Sequence, residues 1–208
     1  GIRPCARPIG RSLIDGCLLN SNAPSVLLVG CGDIAQRLAQ LLKNRYQLTG
    51  LRRHPESLPA AIAPLAADLC DSGSLTAVLA GCTFDYVVVT LTPGERTEAR
   101  YQQVYVEGTR NLLAALQGAP KLLFVSSTSV YAQDQGEVVD ETSLAMGSGF
   151  SGRCLREAED LVLADRFAAS CIRFSGIYGP NRGRLLQSVR EGKVDWNSAA
   201  QWSNRIHS

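Results

Sequence analysis

Val26-Leu27-Leu28-Val29 runs directly into Gly30-Cys31-Gly32-Asp33-Ile34-Ala35, and this corner is where residue type and spacing first carry chemistry. Gly30 permits a tight turn, Gly32 lets the backbone approach a ligand closely, and Ala35 is small enough for a helix to pack on a strand. Apolar residues then recur at 34, 35, 38, 39, 41 and 42, which is helical spacing on one face. A helix starting at such a corner points its first-turn amides and the positive end of its dipole outward. The chemistry this suits is the binding of a diphosphate. Gly30, Gly32, Asp33, Ile34 and Ala35 are therefore the expected diphosphate-loop residues. Farther on, Gly50-Leu51 leads into Arg52-Arg53, with no acid until Glu56. A carboxylate at that place serves the ribose hydroxyls of NAD or S-adenosylmethionine, whereas two guanidinium forks match phosphate oxygens. Arg52 and Arg53 thus favour NADP(H), with NAD(H) as the alternative cofactor and a solvated basic turn as the competing view of the pair.

The elements that must position these groups follow from the pattern of the chain. Ser25–Val29 predicts a buried strand, residues 34–42 a helix, 46–51 a second strand and 64–69 a short third. Asp71 is placed to cap a helix over 72–79. Residues 84–91 form an almost wholly apolar strand closed by Thr92-Pro93-Gly94, followed by a long helix over 95–116. Strands at 122–126 and 169–174 enclose a polar loop to about Gly149 and a helix over 151–168, and a short helix covers 185–190. Alternating strands and helices predict a doubly wound parallel sheet, a Rossmann-type three-layer α/β/α fold. Leu91 and Thr92, Ser126, and Phe174-Ser175-Gly176, at the ends of the fourth, fifth and sixth strands, are assigned to the cofactor as well.

Composition narrows the classes. The chain has 208 residues, 45% hydrophobic and 19% charged, enough for one domain with a real core. A net charge of +2 gives no field for nucleic acid or an anionic membrane. No apolar run approaches the ~20 residues that span a bilayer. The seven cysteines, at 5, 17, 31, 70, 82, 154 and 171, form no CxxC pair and no cluster with histidine. That argues against zinc and for a reducing, cytoplasmic setting. Cys31 is read as a space-filler within the loop. Residues 1–24, with Arg3, Arg7 and Arg11 against Asp15 alone, are read as a leader or extension outside the fold. Residues 25–208 are read as the nucleotide-binding domain, cut short at Trp202–Ser208.

From about Ser25 onward, several ordered segments resemble the extended and atypical short-chain dehydrogenase/reductases of the NAD-dependent epimerase/dehydratase type, sugar-nucleotide-epimerase-like proteins in particular. The glycine loop comes first. Ala67-Asp68-Leu69 is similar to the family's Asp-Leu step, which implies that Asp68 and Leu69 meet the adenine. Tyr105-Val106-Glu107-Gly108-Thr109-Arg110-Asn111-Leu112-Leu113 resembles its Asn-Val-x-Gly-Thr-x-Asn-Leu-Leu helix. Phe124 to Tyr131 resembles the Ser-Ser-x-x-Val-Tyr strand, Arg173 to Pro180 the segment ending Tyr-Gly-Pro, and Asn204-Arg205-Ile206-His207 the Asn-x-Ile-His segment. The resemblance implies a small-molecule substrate, a nucleotide sugar among the possibilities, and a homodimer built on the helices 95–116 and 151–168. Tyr101, Tyr105, Leu112 and Leu113 supply an apolar stripe for such a dimer or for the monomer's own sheet. The substrate lobe is expected to be truncated.

The departures bear on activity. Members of the family use a Tyr-x-x-x-Lys pair in which the ammonium lowers the phenol pKa. Aligned on Glu159, this chain has Ser151 and Leu155 at those positions. Arg153 and Arg156 flank them, but a guanidinium scarcely deprotonates. Ser127 stands where a hydroxyl orients the substrate carbonyl, and Tyr131 and Tyr178 are the candidate proton donors. Three functions compete: an NADP(H)-dependent epimerase-like oxidoreductase, a non-catalytic NADP(H)-binding sensor or scaffold, and a methyltransferase using S-adenosylmethionine. The missing acid after the second strand speaks against the last.

Overall fold

The computed structural model describes residues 23–180, 184–193 and 204–207. Residues 1–22, most of the expected extension, and Trp202, Ser203 and Ser208 lie outside the described residues. Six strands form one parallel sheet in the order β3-β2-β1-β4-β5-β6: β1 Ser25–Val29, β2 Gln47–Arg52, β3 Ala63–Ala66, β4 Tyr86–Val89, β5 Lys121–Ser127 and β6 Ala169–Phe174. This is the doubly wound order in which the crossover reverses between β1 and β4. β1 is buried on both faces from Val26 onward, as a continuous aliphatic run in a covered sheet should be.

Helix α1 Asp33–Leu42 packs on one face through Ala35 and Ala39, against Val26, Leu28, Leu48 and Val88. The other face carries the larger core, in which α2 Ser72–Leu79, α4 Gly108–Ala115 and α5 Phe150–Ala164 bury Leu75, Leu79, Leu112, Ala158 and Val162 against Leu27, Val29, Val87 and Phe124. Asp71 caps α2 as expected, its Oδ1 accepting from the Ser74 amide at 3.0 Å. β3 is shorter than the apolar run implied, because the chain turns at Asp68, whose Oδ1 accepts from the Cys70 amide at 2.9 Å. Likewise β4 ends at Val89, which frees Thr90 to Thr92 for another purpose.

The expected long helix starts later and is not uniform. Thr97 caps α3 Glu98–Tyr101, which continues through a π-helical segment Gln102–Glu107 into α4. Val104, Tyr105 and Val106 are all buried, and three consecutive buried residues do not fit a simple amphipathic α-stripe. The wider π turn accommodates them. Gly108 lets the helix cross Leu69, where an added Cβ would stand 3.3 Å from the Leu69 Cβ. Of the stripe offered by sequence for a dimer or for the chain's own sheet, Tyr105, Leu112 and Leu113 are 9%, 1% and 4% exposed within the single chain and Tyr101 is half-buried. They pack on its own sheet.

α5 ends at Ala164, and α6 runs Arg184–Arg190. Two short strands that the sequence did not disclose, β7 Gly176–Tyr178 and β8 Arg205–His207, pair in parallel as a separate small sheet.

Candidate cofactor site

The glycine corner joins β1 to α1 at the carboxyl end of the sheet. Gly30 has φ +84°, and a Cβ there would lie 2.6 Å from the Thr90 carbonyl oxygen. Its amide donates to the Leu51 carbonyl at 2.9 Å, tying the corner to β2. Cys31 is the sole non-glycine residue among those described with positive φ, +22°, a conformation that costs strain. Its thiol is fully buried over Gly50, and burial pushes its pKa up against the opposing charge of Arg52. The space-filling role expected of Cys31 agrees with this placement. The Cys31 carbonyl accepts from Gln36 Nε2 at 3.2 Å and from Arg52 Nη1 at 3.5 Å. Gly32 begins α1 without a side-chain cap, and a Cβ built on it would find only the Gly30 carbonyl oxygen, 4.0 Å away.

A cleft of about 300 Å³ opens beside this corner, across the carboxyl ends of β1, β4, β5 and β6. From the sequence-predicted set it brings together Gly32, Asp33 and Ile34, then Leu91 and Thr92, then Ser126, Ser127, Phe174 and Ser175. Gly30 and Ala35 lie beneath the corner, shaping it without lining it. Arg52 is half-buried beside the Cys31 carbonyl and Arg53 is exposed, both at the end of β2. Asp68 and Leu69 sit in the turn after β3, where Asn111 Nδ2 holds the Leu69 carbonyl at 2.8 Å. Gly176 belongs to β7, and a Cβ there would stand 2.7 Å from Arg205 Nη1.

The three expected catalytic residues separate. Ser127 lines the cleft, and its Oγ also accepts from the Ser129 amide at 3.2 Å, capping a short 3-10 turn. Tyr131 is not brought to the cleft. Its hydroxyl donates to the Asp140 carbonyl at 2.7 Å and accepts from Arg173 Nη1 at 2.8 Å, with the guanidinium 4.9 Å from the ring centre. Tyr178 is half exposed on β7, its ring edge-on to His207 at 5.1 Å.

Sequence reasoning missed Thr90, Tyr105, Val125, Leu155 and Ile177 as lining residues. For Tyr105 a signal existed in its place within the helix that resembles the family. Its hydroxyl donates to the Leu91 carbonyl at 3.3 Å, and burial pushes the phenol pKa well above its ordinary value, so it keeps its proton. Leu155 projects into the cleft at the position where the resemblance calls for lysine.

Beneath the site lies a charged network with no sequence signature beyond its residue types. Glu159 is fully buried and receives Arg173 Nε at 3.0 Å and Nη2 at 2.7 Å, with Arg156 Nη1 at 3.2 Å. Burial opposes its ionisation, but the Arg173 hydrogen bonds and the arginine charges outweigh that and hold the carboxyl below its ordinary value. Arg173 is raised in turn by its bonds to Glu159. Among the described residues no group of histidine, cysteine, aspartate and glutamate is arranged to hold a metal ion, and no helix is long and apolar enough to cross a membrane.

Residues 30–196 match the family model described as NAD(P)H-binding, and the chain belongs to that family. Protein YeeZ of Escherichia coli strain K12 is 32% identical over 170 residues, 76% of this chain and 60% of its own length. A Methylobacillus flagellatus protein described as a putative NAD-dependent epimerase/dehydratase superposes with a TM-score of 0.75 at 35% identity, over 89% of this chain and 66% of that one. MoeE5, solved with UDP-glucose and NAD, superposes with a TM-score of 0.73 at 25% identity, over 88% of this chain and 67% of its own. The fold is that of the epimerase/dehydratase branch of the short-chain dehydrogenase/reductases. The chain spans about three fifths of the length of the curated relative it matches.

Proposed function

We propose that this chain is the cofactor-binding part of an NADP(H)-dependent, epimerase/dehydratase-like oxidoreductase acting on a nucleotide sugar or a related small carbonyl or hydroxyl compound. The observation that carries this reading is the cleft itself, with an unobstructed glycine corner at one end and the Ser127 hydroxyl lining it. The space over Gly32, which a side chain would fill, fits a diphosphate resting on the first turn of α1.

In this reading the amides of Gly32, Asp33 and Ile34 hold the diphosphate, and Arg52 and Arg53 meet a 2′-phosphate. Asp68 and Leu69 flank the adenine, while Leu91, Thr92, Ser126, Phe174, Ser175 and Gly176 bound the remainder. A nicotinamide supplies or accepts the hydride when bound. Ser127 then orients the reacting oxygen from the end of β5. The proposed dependence on NADP(H) over NAD(H) rests on the two arginines and the absence of an acid before Glu56. The nucleotide-sugar assignment draws support from MoeE5, a structural neighbour bound to UDP-glucose.

A second reading is favoured by a specific observation: Leu155 faces the cleft and Ser151 stands four residues before it, a pair that offers neither a phenol nor an ammonium. With the Tyr131 hydroxyl engaged elsewhere and Tyr178 outside the cleft lining, the chain then binds NADP(H) without turnover. Calorimetric titration with NADPH and NADH tests the cofactor, and tighter NADH binding rules out the arginine assignment. Incubation with NADPH and a panel of UDP-sugars and simple carbonyls separates the two readings. Oxidation of NADPH with any of them supports the enzyme, and binding without oxidation across the panel supports the non-catalytic protein. Residues 1–24 are proposed to lie outside the nucleotide-binding fold. A homodimer is proposed through the outer faces of α4 and α5, where Arg110 approaches Glu157 at 3.9 Å, and is measurable by sedimentation.

A further inference from the structure

An acid at the first position of α1 is an unexpected neighbour for a diphosphate. Asp33 opens the helix, lines the cleft and stabilises the positive helix end by its own charge. An anion seated on the same helix end meets that carboxylate at close range, and like charges oppose each other. One turn along, Arg37 directs Nε to Asp33 Oδ1 at 3.0 Å. The same guanidinium sends Nη2 to the Pro180 carbonyl at 3.1 Å, a residue 143 positions away at the end of the segment that follows β6. That segment supplies Ser175 and Ile177 to the cleft lining, next to Phe174 at the end of β6. Arg37 therefore ties a cleft-lining carboxylate, through an ion pair, to the chain three residues beyond the lining residue Ile177, through a backbone carbonyl.

We infer that Arg37 is a cofactor-positioning residue: it offsets the Asp33 charge beside the diphosphate seat and clasps the Phe174–Pro180 segment. Nothing in the glycine motif requires it, since the motif acts through backbone amides and small residues. A guanidinium suits the double task because its fork can donate to a carboxylate and a carbonyl at once, whereas an ammonium is a compact point charge. Asp33 and the diphosphate draw on the same positive charge, so affinity follows the net charge that the two residues place beside the seat.

This inference rests on the cofactor reading above, and two measurements keep their failures apart. The first is titration of NADPH and NADH into the whole chain and into Arg37→Gln, Asp33→Asn, the double variant and Arg37→Lys, with melting temperatures recorded to confirm folding. Arg37→Gln weakens both dinucleotides by about fivefold, the scale of a partly exposed charge near a helix end. Asp33→Asn tightens both by a similar factor, the double variant returns close to the parent, and these differences shrink at high salt. Arg37→Lys keeps most of the affinity. The second measurement is amide hydrogen exchange of residues 176–178 without cofactor, which quickens in both Arg37→Gln and Arg37→Lys. Unchanged affinity in a folded Arg37→Gln overturns the charge role, and unchanged exchange overturns the clasp. Should the parent chain bind neither dinucleotide, the cofactor reading fails while the exchange measurement still decides the clasp.

Discussion

At Gly30 the backbone needs both a positive φ and the absence of a Cβ, because the Thr90 carbonyl oxygen occupies the space a methyl group would take. Gly30→Ala is expected to cost about 1–3 kcal/mol in stability and to abolish dinucleotide binding, as read by urea denaturation and titration. Arg52 and Arg53 act at the level of single charges. Arg52→Ala is expected to weaken NADPH by roughly tenfold or more, as the loss of a charge-assisted hydrogen bond does, with NADH scarcely affected, and parallel titrations show it. Equal loss for the two cofactors would mean that Arg52 serves the Cys31 carbonyl alone. Gly30 and Gly32 were legible because backbone geometry at a strand-to-helix corner dictates their type, whereas Asp33, Ile34 and the strand-end residues were legible as cleft lining by position alone. Tyr131 was not, since its hydroxyl is claimed by Arg173 and Asp140, partners 42 and 9 residues away that no local pattern reveals.

Between elements, the Glu159 network joins β6 to α5 and the loop beyond Tyr131. Glu159→Gln leaves Arg173 without its counter-charge in a mostly buried place and is expected to cost about 3 kcal/mol. The pH dependence has a definite sign. The carboxyl is held below its ordinary 4.5 in the folded chain, so its contribution is complete above that pH and is lost as the pH falls through the folded value. Melting temperatures of the parent chain therefore drop more steeply below pH 4.5 than those of Glu159→Gln. Gly152 governs the seating of α5 on the 3-10 turn, because a Cβ there would come within 2.1 Å of the Ser129 carbonyl oxygen and 2.9 Å of the Gly147 Cα. Gly152→Ala is expected to cost at least about 1–3 kcal/mol by overpacking and to displace Ser127, visible as a lower denaturation midpoint. The strands and most helices were readable from periodicity. The π-helical stretch and the β7–β8 pair were not, because the first depends on packing against a sheet and the second on two segments of three residues each.

For the molecule as a whole, the cleft lies where the strand order reverses, the place an open α/β sheet reserves for ligands. A dinucleotide binding only the folded chain at about one hundred times its dissociation constant adds about 2.7 kcal/mol. For a chain of this length that raises the melting temperature by about 5–10 °C, and a thermal-shift assay with NADPH reads it directly. The absence of any shift at saturating NADPH and NADH would remove the cofactor assignment.

Cys31 offers a way to watch that corner open. Its sulfur is sealed against Gly50 with a raised pKa, whereas Cys70 and Cys171 are partly accessible. Alkylating reagents must wait for the corner to unfasten before reaching it, so the labelling rate of its peptide, followed by mass spectrometry, becomes a clock for local unfolding. A dinucleotide that grips the corner slows that clock without touching the thiol.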